Sequence, residues 1–473
     1  MKIKLHNFGH LYRFVLDTHQ PFHFIYGKNN VGKSYALRAT YLIVKNILEQ
    51  SQLYKAYLWE LMETKHSHVQ SLVDDLQFAV AQKNTTPIDL RYCIEKMIDE
   101  VMNRMLIPAL QRSFQHTFSD DLQNKASVEA CEIILETQAL QLRIRQGSNQ
   151  RWHINEIKLP MRYEAAFHRK RKKVTQTEHQ TTLFINPDEV EVERLKEEVI
   201  SVTLAVIQRF FQSLTKHIDG VYFLPDTRAG LYHTMRAFGT IFTQLSQRRY
   251  SDDIPVTIPA FPEPVSDYFL TLSRIQPNNQ QDRFTHYAQQ IERHIFDAQI
   301  VYDTTTHELA YYRRKSGLRL RITEASTLIA ALAPLVAYLK FEIGQALDVD
   351  QLDIFSNIQG KTTPKQKLLF IEEPEAHLHL NFQNQLLDLL IQMSRKDLRF
   401  ICASHSGFMY QQLLRRREEN KVMRDHLSIL PLKTTSLGSI IDIPTPAIED
   451  IFIDFEDHSN ELKDKMRTLG GES

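Results

Sequence analysis

The stretch FIYGKNNVGKSYAL, Phe24 to Leu37, decides the fold. It holds the spacing G-x-x-x-x-G-K-S, with Gly27, Gly32, Lys33 and Ser34 at the fixed positions and Asn29 and Asn30 inside the loop. A triphosphate carries several negative charges that many donors must meet at once. Two glycines let backbone N–H groups close around phosphate oxygens, and a helix starting directly behind them turns its positive end to the same point. Lys33 is placed to reach the terminal phosphates and Ser34 to ligate Mg²⁺. The flanks fit this reading. Phe22, Phe24 and Tyr26 alternate as in a strand, and Leu37, Thr40, Tyr41, Val44 and Leu48 recur at helical spacing. Strand, glycine loop and helix form the setting the motif needs. An ordinary strand–helix turn would leave the Gly-Lys-Ser ending without a reason.

A chain of 473 residues is long enough for two or more structural units around this segment. Its 57 basic and 57 acidic side chains cancel. No overall charge draws it to DNA, RNA or anionic lipid, although a local basic groove is compatible with neutrality. Cys93, Cys131 and Cys402 lie far apart without metal-type spacing, which suggests a reducing, cytoplasmic setting. The N-terminal KIKLHNF reads as a strand and not as a signal peptide. No run is long and apolar enough to span a bilayer, so no membrane partner is expected.

Three regions are expected. Residues 1–45 form an N-terminal lobe: Lys2 to His6 and Phe14 to Leu16 pair as strands, and Phe22 to Tyr26 leads into the loop. Residues 46–217 form an arm. Glycine nearly vanishes there, leaving only Gly147. Ile47, Ser51, Tyr54, Leu58 and Leu61 follow a 4-3 spacing that Val69, Leu72, Leu76 and Val80 continue. Ile94, Met97, Ile98, Val101 and Met105 make a returning stripe that Pro108 ends or kinks. A helical hairpin follows, either part of a bundle or an extended coiled coil. Leu142 and Ile144, a turn at Gly147 to Asn149, and Trp152, Ile154 and Ile157 read as a β-hairpin. The basic run Arg169 to Lys173 is a solvated loop tip or a phosphate-backbone contact. Asn186 or Asp188 caps a helix with Val199, Val202, Val206, Phe210 and Leu214 on one face. Residues 218–473 form the C-terminal lobe. In it a strand enters the turn carrying Asp226 and Arg228, three antiparallel strands run from Gln299 to Ile322, and a nearly all-apolar helix runs from Ala325 to Phe341.

That lobe supplies the remaining chemistry. Leu368 to Ile371 is a continuously apolar strand, as in a sheet covered on both faces, and it ends in Glu372 and Glu373. Such a strand delivers carboxylates beside a metal-phosphate loop. Glu372 is assigned to the metal through a water, and Glu373 to orienting and deprotonating the attacking water. Glu375, His377 and His379 make the cluster dense, but neither histidine sits in a recognised ligand spacing. Phe400 and Ile401 lead to Ser404-His405-Ser406, where His405 can reach a γ-phosphate. Ser326 and Thr327 open the apolar helix. Their N–H groups and hydroxyls either bind an anion or simply cap the helix.

These pieces, in this order, resemble the ABC-type ATPase heads of the RecF and SMC group. They are most similar to the bacterial AAA family ATPases grouped with the overcoming-lysogenization-defect (OLD) proteins. GKNNVGKS resembles their Walker A, LLFIEEPEAHLH their Walker B, ICASHS their switch-histidine strand and ITEASTLIAALAPLVAYLK their signature helix. The resemblance implies an α/β P-loop head of the ABC-ATPase type, a mixed sheet with flanking helices interrupted by a helical or coiled-coil insertion. It implies ATP and Mg²⁺ as cofactors: Lys33 and Ser34 on phosphate and metal, Glu372 supporting the metal, Glu373 as catalytic base, His405 sensing the γ-phosphate and Ser326 touching ATP on an opposing subunit. Leu328 stands where the family has glycine, which points to slow hydrolysis or to a dimer built differently. The implied partners are a second copy in a head-to-head dimer or higher oligomer and a separate effector, a nuclease or toxin. DNA is a further partner the group allows. About seventy residues follow His405, too few for a Toprim nuclease domain. The resemblance thus implies a nucleotide-dependent sensor or switch of an anti-phage defence system. A RecF-like DNA-repair ATPase and a scaffold without turnover are the alternatives.

Overall fold

The structure, a computed structural model, describes residues 1–63, 71–72, 74, 78, 86–118, 122–167, 174–177, 180–185, 192–232, 234, 261–276, 283–304, 308–343, 365–396 and 398–441. The basic run from Arg169 to Lys173, the caps at Asn186 or Asp188, the stripe residues Val69, Leu76 and Val80, and the stretch Ile448 to Phe455 lie outside the described residues.

Strands β1 (Lys2–Phe8) and β2 (Leu11–Asp17) pair antiparallel, with Ile3 opposite Leu16 and Leu5 opposite Phe14. Strand β3 (Phe22–Tyr26) leads through the glycine loop into helix α1 (Lys33–Glu63). No glycine or proline interrupts residues 33–63, so the helix runs straight through residue 45, where the sequence reading closes the N-terminal lobe.

The expected arm divides in two. Strand β4 (Ile88–Asp89), helix α2 (Arg91–Arg104) and helix α3 (Leu106–Thr117) come first. The break falls at Met105 rather than at Pro108. Pro108 is the third residue of α3, within the first turn, whose N–H groups have no intrahelical acceptor anyway. Strands β5 (Glu132–Glu136), β6 (Gln141–Gln146) and β7 (Trp152–Lys158) form a meander. The expected hairpin is β6–β7, with Leu142 opposite Ile157 and Ile144 opposite Ile154. Strand β5 was not foreseen, and it pairs with β1 through Ile3–Leu135 and Leu5–Ile133. All three strands therefore extend the sheet of the head. Strands β8 (Arg162–Phe167), β9 (Val174–Gln176) and β10 (Gln180–Ile185) join β4 in a separate sheet of order β4-β8-β10-β9. Helix α4 (Val192–Thr215) buries the expected face of Val199, Val202, Val206, Phe210 and Leu214, and Phe211 stacks on Tyr54 of α1 with ring centroids 5.3 Å apart.

The second half contains β11 (Ile218–Leu224), α5 (Glu263–Arg274) and α6 (Arg283–Ile291). The expected antiparallel trio is β12 (Gln299–Asp303), β13 (Glu308–Arg313) and β14 (Leu318–Arg321). Then come α7 (Thr327–Ala337), β15 (Gln366–Glu372), α8 (Leu380–Ser394) and β16 (Leu398–Ser404). The described chain ends with α9 (Gly407–Glu419), α10 (Lys421–His426), β17 (Leu427–Thr435) and β18 (Gly438–Ile441).

Among the described residues the main sheet has 11 strands in the order β11-β15-β16-β3-β17-β18-β2-β1-β5-β6-β7. From β11 to β17 neighbours run parallel; beyond β17 all pairings but β18–β2 are antiparallel. Strand alternation explains the unbroken apolar runs. Leu368, Phe370, Ile401 and Ala403 face one core with α1 to α4, whereas Leu369, Ile371, Phe400 and Cys402 face a second core with α5 to α8. This double covering brings the carboxyl ends of β3, β15 and β16 to one edge, with Glu372 opposite Ala403 and Ser404 opposite Tyr26.

Candidate functional site

The loop between β3 and α1 is shaped by its glycines and anchored by Val31, which is buried in the first core. A Cβ on Gly27 would meet Val31 Cγ2 at 2.7 Å and the Leu432 carbonyl oxygen at 3.0 Å. Gly32 has φ +83°, and Asn30 also takes a left-handed backbone at φ +66°. Lys28, Asn29, Asn30 and Ser34 are left at the surface. Lys33 folds back along the loop, its Nζ donating to the Lys28 carbonyl at 2.7 Å. Burial pushes its pKa down, and the nearby charges of Glu373 and Glu375 oppose that shift.

Strand β15 delivers the paired glutamates. The Glu372 side chain is 1% exposed, and burial pushes its pKa up. Arg38 and the nearby Ser34 hydroxyl pull the other way. Ser34 and Glu372, the two residues assigned to the metal, therefore meet. Glu373 turns the chain out of the strand at φ +44°, its N–H donating to the Ala403 carbonyl at 2.8 Å. His405, at the end of β16, places Nδ1 3.0 Å from Glu373 Oε1 and 3.4 Å from Glu375 Oε1.

Three contributors were not assigned from sequence. Glu375 is buried, and its Oε1 accepts from the Ser404 hydroxyl (2.6 Å), the His405 N–H (3.0 Å) and the Ser406 N–H (3.1 Å). Its Oε2 is buried without a hydrogen-bond partner among the described residues. Arg228 is 2% exposed, and it donates to the carbonyls of Ala331 (2.6 Å), Pro225 (3.1 Å), Glu372 (2.9 Å) and Glu373 (3.1 Å). It ties the turn after β11, the Glu372–Glu373 turn and α7 into one unit. Arg38 reaches Glu372 from α1. Its sequence signal was available: it lies four residues after Ser34, on the same helix face.

Ser326 stands apart. It is the exposed N-cap residue of α7, and its side chain makes no capping hydrogen bond; Glu324 instead pairs with Arg321 across the turn before it. Among the described residues no hydrogen bond or ion pair joins it to Lys33, Glu372, Glu373 or His405. Leu328 packs, partly buried, against the second core. His379 Nδ1 accepts from the Asn381 N–H and caps α8. Among the described residues no group of three His, Cys, Asp or Glu is set to hold a metal ion, and no helix is long and apolar enough to cross a membrane.

The residues fit a magnesium triphosphate. The glycine turn bars a side chain, Lys33 brings a cation into the loop, and Ser34 with Glu372 offers the hard oxygen donors Mg²⁺ prefers. Bound there, the group would supply an electrophilic phosphorus and a metal to share its charge. The strand–loop–helix cradle, facing paired carboxylates across an intervening parallel strand, defines a P-loop ATPase architecture.

The AAA ATPase domain family matches residues 1–410, and the chain belongs to that family. No curated protein matches it significantly. Among solved structures it is similar to the SMC head bound to the C-winged helix domain of ScpA, at 12% identity and TM-score 0.36, over 93% of this chain and 96% of that one. It is also similar to the SMC head domain from Thermotoga maritima, at 9% identity and TM-score 0.33, over 94% and 98%. A third is the SMC head with an extended coiled coil from Pyrococcus furiosus, bound to the C-terminal domain of ScpA, at 12% identity and TM-score 0.35, over 97% and 98%. Identities and TM-scores this low carry no functional argument.

Proposed function

We propose that this chain binds MgATP and hydrolyses it slowly, as the ABC-type head of a nucleotide-switched dimer. The observation that supports the reading is the pairing of Glu373 with His405 at 3.0 Å, within the electrostatic reach of Lys33, from three distant segments at one edge of the parallel strands. Lys33 holds the terminal phosphates. Ser34 and Glu372 hold the metal and its water. Glu373 takes the proton of the attacking water, and His405, fixed through its N–H by Glu375, reads the terminal phosphate. Ser326, with its hydroxyl outside any cap, contacts nucleotide held by a second copy.

Moving a dimer from mostly open to mostly closed needs about 5.5 kcal/mol of differential affinity, which two shared MgATP sites can supply. The sequence resemblance to OLD-like ATPases supports placing this switch in a cytoplasmic anti-phage defence system, where it controls a separate nuclease or toxin. The test is calorimetry of MgATP binding together with sedimentation of the full chain. Lys33→Ala is expected to lose binding, and the parental chain to double its mass with MgATP. Binding by Lys33→Ala at parental affinity would remove the proposed site. ATP-dependent, salt-sensitive duplex binding would move the reading to the DNA-repair class.

A further inference from the structure

Among the described residues no carboxylate pairs with the buried Arg228 guanidinium, and backbone carbonyls alone meet it. A charge is kept inside a fold only where acceptors replace its water. These acceptors belong to three different elements. Nη1 donates to the Glu372 and Pro225 carbonyls at 2.9 and 3.1 Å, Nη2 to the Glu373 carbonyl at 3.1 Å, and Nε to the Ala331 carbonyl of α7 at 2.6 Å. A planar guanidinium fixes such acceptors relative to one another, which the point charge of a lysine does not. Ala331 lies inside α7, three residues before Pro334, whose ring has no N–H and weakens the helix ladder beside it. Among the described residues no other hydrogen bond joins α7 to the Glu372–Glu373 turn. That turn is strained, with Glu373 at φ +44°. The Arg228 backbone is anchored in turn by Tyr268, whose hydroxyl donates to its carbonyl at 3.0 Å.

We propose that Arg228 is a positioning residue that makes the aim of Glu373 depend on α7. It holds the strained turn so that the Glu373 carboxylate stays on the attacking water, and a shift of α7 moves that turn through the guanidinium. This rests on the MgATP reading above. Helix α7 opens behind Ser326, the residue proposed to contact nucleotide on a second copy. Docking at that end of the helix is therefore felt at the base of the same chain. The four carbonyls lie outside the glycine loop, so Arg228 acts on turnover far more than on nucleotide affinity.

The experiment compares the full-length parental chain with Arg228→Lys, which keeps the charge but not the fork. Calorimetry of MgATP and single-turnover hydrolysis are expected to separate: affinity within about threefold of parental, and a hydrolysis rate about 10²-fold lower, the usual size for a misplacement near 1 Å. Hydrogen exchange is then read on the α7 amides from Leu332 to Ala337 in dilute protein, with and without the β,γ-imido analogue of ATP and Mg²⁺. The analogue is expected to slow exchange there in the parental chain and to leave it unchanged in Arg228→Lys. A merely structural Arg228 would loosen α7 with and without nucleotide, and would lower rate and affinity together. If Arg228→Lys does not fold, Tyr268→Phe, which frees the Arg228 carbonyl and keeps the guanidinium, is expected to show the same separation at smaller size. A parental rate in the variant, rate and affinity falling together, or an α7 response that survives the substitution or is missing from the parental chain overturns the inference alone. A parental chain that binds no MgATP overturns the MgATP reading and this inference with it.

Discussion

Glu373 pays for its place with a backbone at φ +44°, a conformation that costs a non-glycine residue about 1–3 kcal/mol and persists only where neighbours impose it. The neighbours are identifiable: the Ala403 carbonyl takes its N–H, and Arg228 takes its carbonyl. Another residue contributes to behaviour in acid. His23, on β3, is fully buried, and neither ring nitrogen has a hydrogen-bond partner of normal geometry among the described residues. Burial pulls its pKa from 6.5 to about 4; Asp17 opposes that shift and Arg399 reinforces it. The folded state therefore binds fewer protons than the unfolded one between these values. The stability held above pH 6.5 drains away as pH falls toward 4, by roughly 3 kcal/mol from this residue. Urea midpoints at pH 7 and 4.5 should show His23→Leu losing markedly less stability than the parental chain over that interval. Equal losses would mean that His23 is solvated or partnered in the fold.

Among elements, the informative surprise is β5. Its sequence, EIILE, gives an apolar run too short to separate strand from helix, and its partner β1 lies more than 120 residues away, so no local pattern announces the pairing. Rings reinforce the join. Phe8 of β1 packs against Phe114 of α3 and Trp152 of β7, at centroid distances of 5.7 and 6.2 Å. Strands β5 to β7 should thus open with β1 and β2 as one cooperative unit. In native-state hydrogen exchange, the amides of Ile133 to Leu135 are expected to share the opening free energy of the β1–β2 ladder. Independent, weaker protection would restore the separate arm. Elements with strong local signals were legible: the phosphate loop by its glycines, β15 and β16 by their continuous apolar runs, and β12 to β14 by alternation. The misplaced helix break has a local cause, since a proline in a first turn is harmless and its presence did not mark the boundary.

In the whole molecule, one sheet sandwiched between two apolar cores carries segments from the first and last thirds of the chain to a single edge. The residue types at that edge were legible because phosphate and metal chemistry restrict them narrowly. Their supports were not. Arg38 and Glu372 are 334 positions apart, and Arg228 works through backbone carbonyls that no sequence pattern encodes. The proposed base that activates water is Glu373, set against His405 and within the field of Lys33. Single-turnover hydrolysis of bound MgATP by Glu373→Gln tests it most directly. Binding is expected to be retained with a rate about 10²- to 10⁴-fold below the parental chain; hydrolysis at the parental rate would mean that Glu373 does not take the proton.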